Sequence, residues 1–349
     1  MRKQALAINT ISHAVVDFSC FFFLFGAFIS AFTDSKTILL GFMLYNLIAF
    51  GLQPFVGLLC DKKKNIPIAP FGVLLTMLAI TLSAYPFVAL ILIAIGNACF
   101  HVGGGITTLK NCEGHMTDNG IFVASGAVGV SLGTLAGNNP DFINSYTLIL
   151  LCLCGFALLW VYLYGNHGAS TISTFSHTIT NRNLAMITIL LIGFCLVLVR
   201  AFAVTLLPAY YEKTTFLLCF TGSVACIGKA AGGILGDYFG ARKVGSFSLL
   251  LSIPCLLLGG SSIIIYGLGL LLFNMTMAIT LCLIAGQLPN HPGFAFGITT
   301  AGLLLGSQLR SLLVFSQFFK TVFFLVLLAL SVRAIYIITD NHQPKHIPQ

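Results

Sequence analysis

The chain has 349 residues, of which 58% are hydrophobic and only 7% are charged, with 17 basic against 9 acidic side chains. A water-soluble domain carries ~25% charged residues; with a mean hydropathy of +1.00, this composition excludes a soluble enzyme, a nucleic-acid-binding protein and a disordered chain. Apolar runs of spanning length recur throughout, and twelve spans of ~20 residues would occupy ~240 residues and leave ~109 for all connections.

The first apolar run follows Arg2 and Lys3, as a secretion signal would. It is too long for one, carries Asp17 and lacks a cleavage site, and so reads as an uncleaved first span. In chain order the expected spans are 5–33, 37–60, 66–84, 87–110, 119–138, 143–164, 183–209, 214–236, 244–260, 262–287, 293–315 and 318–339. The third and ninth are short, and Pro67, Pro70 and Pro254 are placed to kink them or move their ends. The longest connection, 165–182, is polar and central. It divides the chain into an N-terminal six-helix bundle (1–164) and a C-terminal six-helix bundle (183–349) with a short tail. The expected fold class is an all-α membrane protein of twelve transmembrane helices in two pseudo-symmetric bundles.

Basic residues set the orientation. With both termini inside, eleven of them fall at cytoplasmic ends (Arg2, Lys3, Lys62, Lys63, Lys64, Lys110, Arg182, Arg242, Lys243, Arg333, Lys345) and three at outer ends (Lys36, Lys213, Lys320). This bias predicts a multi-pass protein of a bacterial-type inner membrane with both termini cytoplasmic. The eleven cysteines fall mostly inside spans with no CxxC or zinc-type spacing, so they read as buried structural thiols.

Four charged residues remain inside spans: Asp17, Arg200, Lys229 and Arg310. Asp17 lies ~18 Å along its helix, near the midplane, where a carboxylate must be protonated, paired or open to a water-filled cavity. It is a candidate proton-coupling site or, equally simply, part of a structural ion pair. His13 shares its helical face, and His101 lies ~21 Å from the outer end of span four. The three form a candidate proton relay. A hydrogen-bonded strut is the alternative, and two His with one Asp also satisfy a divalent metal, although no metal site is expected. Arg200 and Arg310 lie ~25 Å from the inner face and Lys229 ~12 Å from it. Facing a cavity, these cations attract a carboxylate, phosphate or sulfonate; at their depth the two arginines can instead snorkel outward. Gln53, Asn97 and Asn274 are neutral candidates for the cavity wall or for interhelical bonds. Glycine rows in spans five and eleven allow close helix approach.

A repeat relates the two halves at an offset of about 176 residues. Gly57 and Asp61, with the basic run Lys62, Lys63 and Lys64, correspond to Gly233 and Asp237, with Arg242 and Lys243. Gly126 maps to Gly302, and Asn97 to Asn274 with one residue of slip. Paired six-span halves place a substrate near the midplane of a two-bundle transporter. On these residues the chain resembles the major facilitator superfamily over its whole length, the Gly-x-x-x-Asp turn with trailing basic residues being that family's loop signature. The resemblance implies that Gly57, Asp61, Gly233, Asp237 and Arg242 form a conformational gate. The first copy departs from the pattern, with Lys63 and Lys64 where glycine and arginine are usual. Span five, with Gly126, Gly129, Gly133 and Gly137, is similar to that of the family's antiporter branch. Ser12, His13 and Asp17, with Asn97, His101, Gly103 and Gly104, resemble its fosmidomycin-resistance branch. Basic residues in spans eight and eleven resemble the family's dicarboxylate exchangers by span position.

The expected function is therefore secondary active transport of a small organic solute, an organic anion by the cations present, through alternating access and driven by protons. Asp17, His13 and His101 would carry the coupling, and Lys229, Arg310, Arg200, Asn97, Asn274 and Gln53 would contact substrate. A proton-driven exporter of drugs or metabolites is the nearest alternative. An intramembrane enzyme lacks a nucleophile or metal motif here, and a non-transporting sensor lacks a signalling module. No cofactor and no nucleic-acid partner are expected; the expected surroundings are a lipid bilayer and a monomeric state.

Overall fold

The computed structural model describes residues 2–63, 66–112, 114–139, 141, 147–162, 181, 183–312 and 316–340. The connection expected at 165–182 lies, apart from Asn181, outside them. Among the described residues every expected span is a helix: α1 (Arg2–Phe23, continued by a π-helical turn Leu24–Phe28), α2 (Ser35–Gly51 and Gln53–Lys62), α3 (Ile68–Thr81), α4 (Pro86–Asn111), α5 (Met116–Gly137) and α6 (Thr147–Trp160). The second half repeats the series with α7 (Met186–Leu206), α8 (Thr215–Phe239), α9 (Ala241–Leu257), α10 (Ile263–Asn274 and Thr276–Gln287), α11 (Pro292–Leu312) and α12 (Gln317–Ile338). Eight of these are long and apolar enough to cross a bilayer by themselves. The chain is a multi-pass membrane protein.

Helix ends follow local chemistry. Asp34 caps α2 by accepting from the backbone N–H groups of Lys36 and Thr37, and the Thr214 hydroxyl caps α8 by accepting from that of Leu217. α7 stops at Leu207, which turns extended (φ −65°, ψ 142°) because Pro208 follows it. α8 runs three residues past its expected end at 236 and stops at Gly240, whose φ of 91° suits glycine and lets α9 begin at once. α2 breaks at Leu52, ahead of Pro54, which has no N–H to continue the ladder.

The helices pack into two compact units. The first contains 1–111, 125–171 and 291–297; the second contains 112–124, 172–290 and 298–349. In the first, α4 is the central helix, packed against α1, α2 and α3. Small residues bring α3 and α4 into backbone contact: a Cβ on Gly96 would lie 2.8 Å from the Gly72 carbonyl oxygen. Around it Tyr45, Phe23, Phe28 and Phe100 are fully buried. In the second unit the half of α10 that follows its break is the buried element, from Ala278 to Ala285, packed against α7, α8 and α9. Large apolar side chains, among them Leu39, Phe55, Ile264 and Phe318, are exposed.

All eleven cysteines are reduced. Five are buried, while Cys152 and Cys195 are exposed, so the expectation of buried thiols holds for only part of the set. A thiol is apolar enough to face lipid as readily as a packed interior.

Candidate functional site in the first unit

Helical spacing builds the site from two pairs. His13 and Asp17 are four apart on α1; Asn97 and His101 are four apart on α4. Each pair therefore lies on one helical face, and the packing of α1 on α4 brings the faces together. His13 Nε2 lies 2.9 Å from His101 Nε2 and 3.3 Å from Asp17 Oδ2. His101 Nε2 lies 3.5 Å from Asp17 Oδ1, and Asn97 Nδ2 donates to that same oxygen at 3.1 Å. All four side chains are buried, Asp17 at 7% exposure and Asn97 at 1%.

The hydrogen bonds assign the protons. His101 Nδ1 lies 2.9 Å from the Asn97 carbonyl oxygen, which can only accept, so Nδ1 carries a proton. In the neutral ring Nε2 is then a bare acceptor, and it takes the bond from His13 Nε2–H. One further proton has a defined place. Added to His101 Nε2, it donates to Asp17 Oδ1, and the His13 N–H turns to Asp17 Oδ2. Both imidazoles then hold the carboxylate, one on each oxygen. Low-dielectric surroundings favour this charge-compensated arrangement over a lone buried charge.

Around this group, α5 and two further α1 and α2 side chains close the space. A Cβ on Gly126 would lie 2.5 Å from Asp17 Oδ2 and 2.7 Å from His13 Nε2, so only glycine leaves the carboxylate its position. Cys20 on α1 and Tyr45 on α2 are fully buried. Asn97 Nδ2 also reaches Cys20 Sγ at 3.5 Å. Among the described residues, His13, Asp17 and His101 are the group whose ligand atoms, all within 4.8 Å of one another, could hold a metal ion.

The other expected substrate contacts lie elsewhere. Gln53, in the first unit, is buried at the α2 break, its amide donating to the Ala49 carbonyl at 2.7 Å. Asn274 donates to Leu270 of its own helix at 2.8 Å. In the second unit Arg200 is buried at 2% exposure, so the snorkelling alternative does not apply to it. Its Nη2 donates to the Phe273 carbonyl at 3.2 Å, and its guanidinium carbon stands 4.9 Å from the Phe273 ring centre. Lys229 on α8 is half-buried, next to Gly228, which abuts Leu271 and Asn274 of α10. The Arg310 side chain lies outside the described part of α11.

The repeated turns each have a backbone partner. Asp61 accepts from the N–H groups of Gly293 and Phe294 at 2.9 and 2.8 Å, at the start of α11. Asp237 accepts from the N–H groups of Met116 and Thr117, both at 2.8 Å, and from the Thr117 hydroxyl at 2.6 Å, at the start of α5. Gly57 and Gly233 permit this approach. A Cβ on Gly57 would lie 2.8 Å from Phe294 N, and one on Gly233 2.5 Å from the Met116 oxygen. Arg242 instead joins the start of α9 to the end of α12, its Nε donating to the Thr339 carbonyl at 2.9 Å and its guanidinium lying over Tyr336. Sequence reasoning passed over two residues here. His115 and His291 stand 3.8 and 3.9 Å from Asp237 and Asp61. Their separation, 291 − 115 = 176, is the repeat offset itself, which was the available signal.

No protein-family profile matches the sequence. The fold is that of the major facilitator superfamily transporters. Among solved structures, the E. coli fucose:proton symporter FucP, in a single-residue variant, aligns with a TM-score of 0.67 at 15% identity, over 96% of this chain and 97% of that one. A bacterial homologue of the iron transporter ferroportin, in an outward-facing state with soaked iron, aligns with a TM-score of 0.63 at 16% identity, over 96% and 98%. FucP in the outward conformation aligns at 0.58 and 16% identity, over 93% and 98%.

Proposed function

We propose that the chain is a secondary active transporter that moves a small organic solute by alternating access, energised by the proton gradient. The observation that carries the proposal is the buried group on α1 and α4: one carboxylate between two imidazoles, with an amide fixing one of its oxygens. A carrier that couples to protons needs a site whose charge changes by one while it stays out of water, and Asp17 with His13 and His101 meets that need. Support of a coarser kind comes from the fold, since one structural neighbour is a fucose:proton symporter. The polar side chains of the turns, Asp61 and Asp237, would set the conformational equilibrium, and Arg242 would brace α9 against α12. In this reading the protein sits in an inner membrane with both termini cytoplasmic and works as a monomer. An exporter of drugs or metabolites would use the same coupling group in the opposite direction.

The test uses proteoliposomes and a labelled solute chosen by a thermal-shift screen of the purified protein. Uptake should follow an imposed pH gradient. Asp17→Asn should abolish that response while leaving solute counterflow in place. Gradient-driven uptake at the wild-type rate in Asp17→Asn would remove the coupling assignment.

A further inference from the structure

Within the second unit, α7 and α10 occupy the repeat positions of α1 and α4. Where the first pair carries an acid, this pair carries Arg200. A guanidinium offers five N–H donors in a rigid fork. One nitrogen, Nη2, is engaged by the Phe273 carbonyl, an oxygen that also accepts from the Thr276 hydroxyl at 3.0 Å. Nε and Nη1 are fully buried and have no hydrogen-bond partner among the described residues. The carbonyl belongs to the last turn of the first half of α10, directly before the break at Met275. Capping that half-helix explains one donor and the favourable sign of the charge. It leaves the three N–H groups of Nε and Nη1 on a buried cation without a partner among the described residues, which costs more than leaving a neutral group unsatisfied.

We propose that Arg200 is the anchor for a carboxylate group of the transported solute, bound at the α10 break. The idea rests on the transporter reading and supplies its substrate class. A carboxylate presents two coplanar acceptor oxygens, matching the fork that the second N–H of Nη2 makes with an N–H of Nε or Nη1. The guanidinium carbon stands over the Phe273 ring, a contact that favours the cation there. The irregular turn at Met275, whose N–H stays bonded to the Leu271 and Leu272 carbonyls at 3.2 and 3.3 Å, lies against α8, where a Cβ on Gly228 would be 2.5 Å from the Leu271 oxygen. A phospholipid phosphate offers the same oxyanion chemistry, and the experiment separates the two.

The experiment is an equilibrium one on the full chain in neutral detergent, with no gradient, so a failure of proton coupling leaves its result standing. Melting is followed against mono-, di- and tricarboxylates such as benzoate, succinate and citrate, each paired with its uncharged amide, and separately against phosphatidylglycerol. At least one carboxylate should raise the midpoint saturably where its amide does not. Arg200→Gln should weaken that binding by about 10- to 100-fold, the worth of hydrogen bonds to a charged group. Arg200→Lys, which keeps the charge but loses the fork, should also weaken it and guards against a Gln variant that fails to fold. No carboxylate separating from its amide, stabilisation by phosphatidylglycerol alone, or wild-type affinity in Arg200→Lys would each overturn the proposal.

Discussion

Gly126→Ala is the sharpest probe of the α1–α4 group because it removes none of its members. The new methyl would sit 2.5 Å from Asp17 Oδ2, 2.7 Å from His13 Nε2 and 2.9 Å from His13 Cε1. Ordinary van der Waals contact needs roughly 3.5 Å, so the carboxylate and the ring must yield by about 1 Å. That displacement takes the 3.1 Å bond from Asn97 out of hydrogen-bonding range. A lost bond to a buried charged group is worth about 1.5–3 kcal/mol, or roughly one to two units in the protonation midpoint at 1.36 kcal/mol per unit. The comparison is Gly133→Ala, further along the same helix, whose methyl would meet Phe18 Cα at 2.9 Å and Phe18 C at 3.0 Å. Backbone cannot swing aside, so α1 and α5 must part, at about 1–3 kcal/mol. The assay is infrared difference spectroscopy of the carboxyl band that Asp17→Asn removes, titrated in purified protein alongside thermal melting. Gly126→Ala should move the titration as well as lower the melting temperature; Gly133→Ala should lower the melting temperature and leave the titration in place. Identical titration midpoints in wild type and Gly126→Ala would refute the reasoning.

The other predictions are independent of that group. Asp61→Asn and Asp237→Asn each replace a carboxylate that accepts two backbone N–H bonds by an amide with one acceptor oxygen, and each should lower stability by about 1–3 kcal/mol, read as a fall in melting temperature. Asp237→Asn also loses the Thr117 hydroxyl bond and should cost more than Thr117→Val, which removes only that bond. Gly232→Ala would push a methyl into the Met275 carbonyl at the α10 break, so melting should fall while the Asp17 titration holds. Asp34 titrates below the ordinary carboxylate range because the Thr37 hydroxyl and the N–H groups of Lys36 and Thr37 bond its charged form. A depressed folded-state value means that this cap is fully present above the unfolded pKa of about 3.9 and is lost as pH falls through the lower folded value. Carboxyl-carbon NMR of the wild type should show the low midpoint, and Thr37→Val should raise it.

Much of the architecture was legible because the bilayer leaves a chain few choices. Apolar runs marked the helices, and Asp17 with His13 could be paired from their spacing alone. What spacing does not contain is which helix faces which, so the meeting of Asp17 with Asn97 and His101 required α4 to be seen against α1. Gly126 was legible as a small residue but not as the floor of the charged group. The departure of the first loop from its pattern at Lys63 and Lys64 proved harmless to the Asp61 contact, since that bond needs only the carboxylate and two N–H groups. Depth along the helix allows Arg200 to snorkel, and depth says nothing of the face on which Phe273 receives it.

Apart from the Thr117 hydroxyl, the hydrogen-bond donors to Asp61 and Asp237 are main-chain N–H groups, which every residue except proline supplies. The bonds themselves ask nothing of the side chains at 116 and 294 except that neither be proline, and pairwise covariation between the two aspartates and these positions should be weak. Position 293 is held to glycine by space instead, since a Cβ there would lie 2.7 Å from the Gly57 oxygen and 3.0 Å from Asp61 Oδ1, and Pro292 stops one residue short of the first donor. A turn held this way is inherited through geometry rather than through a matched pair of side chains.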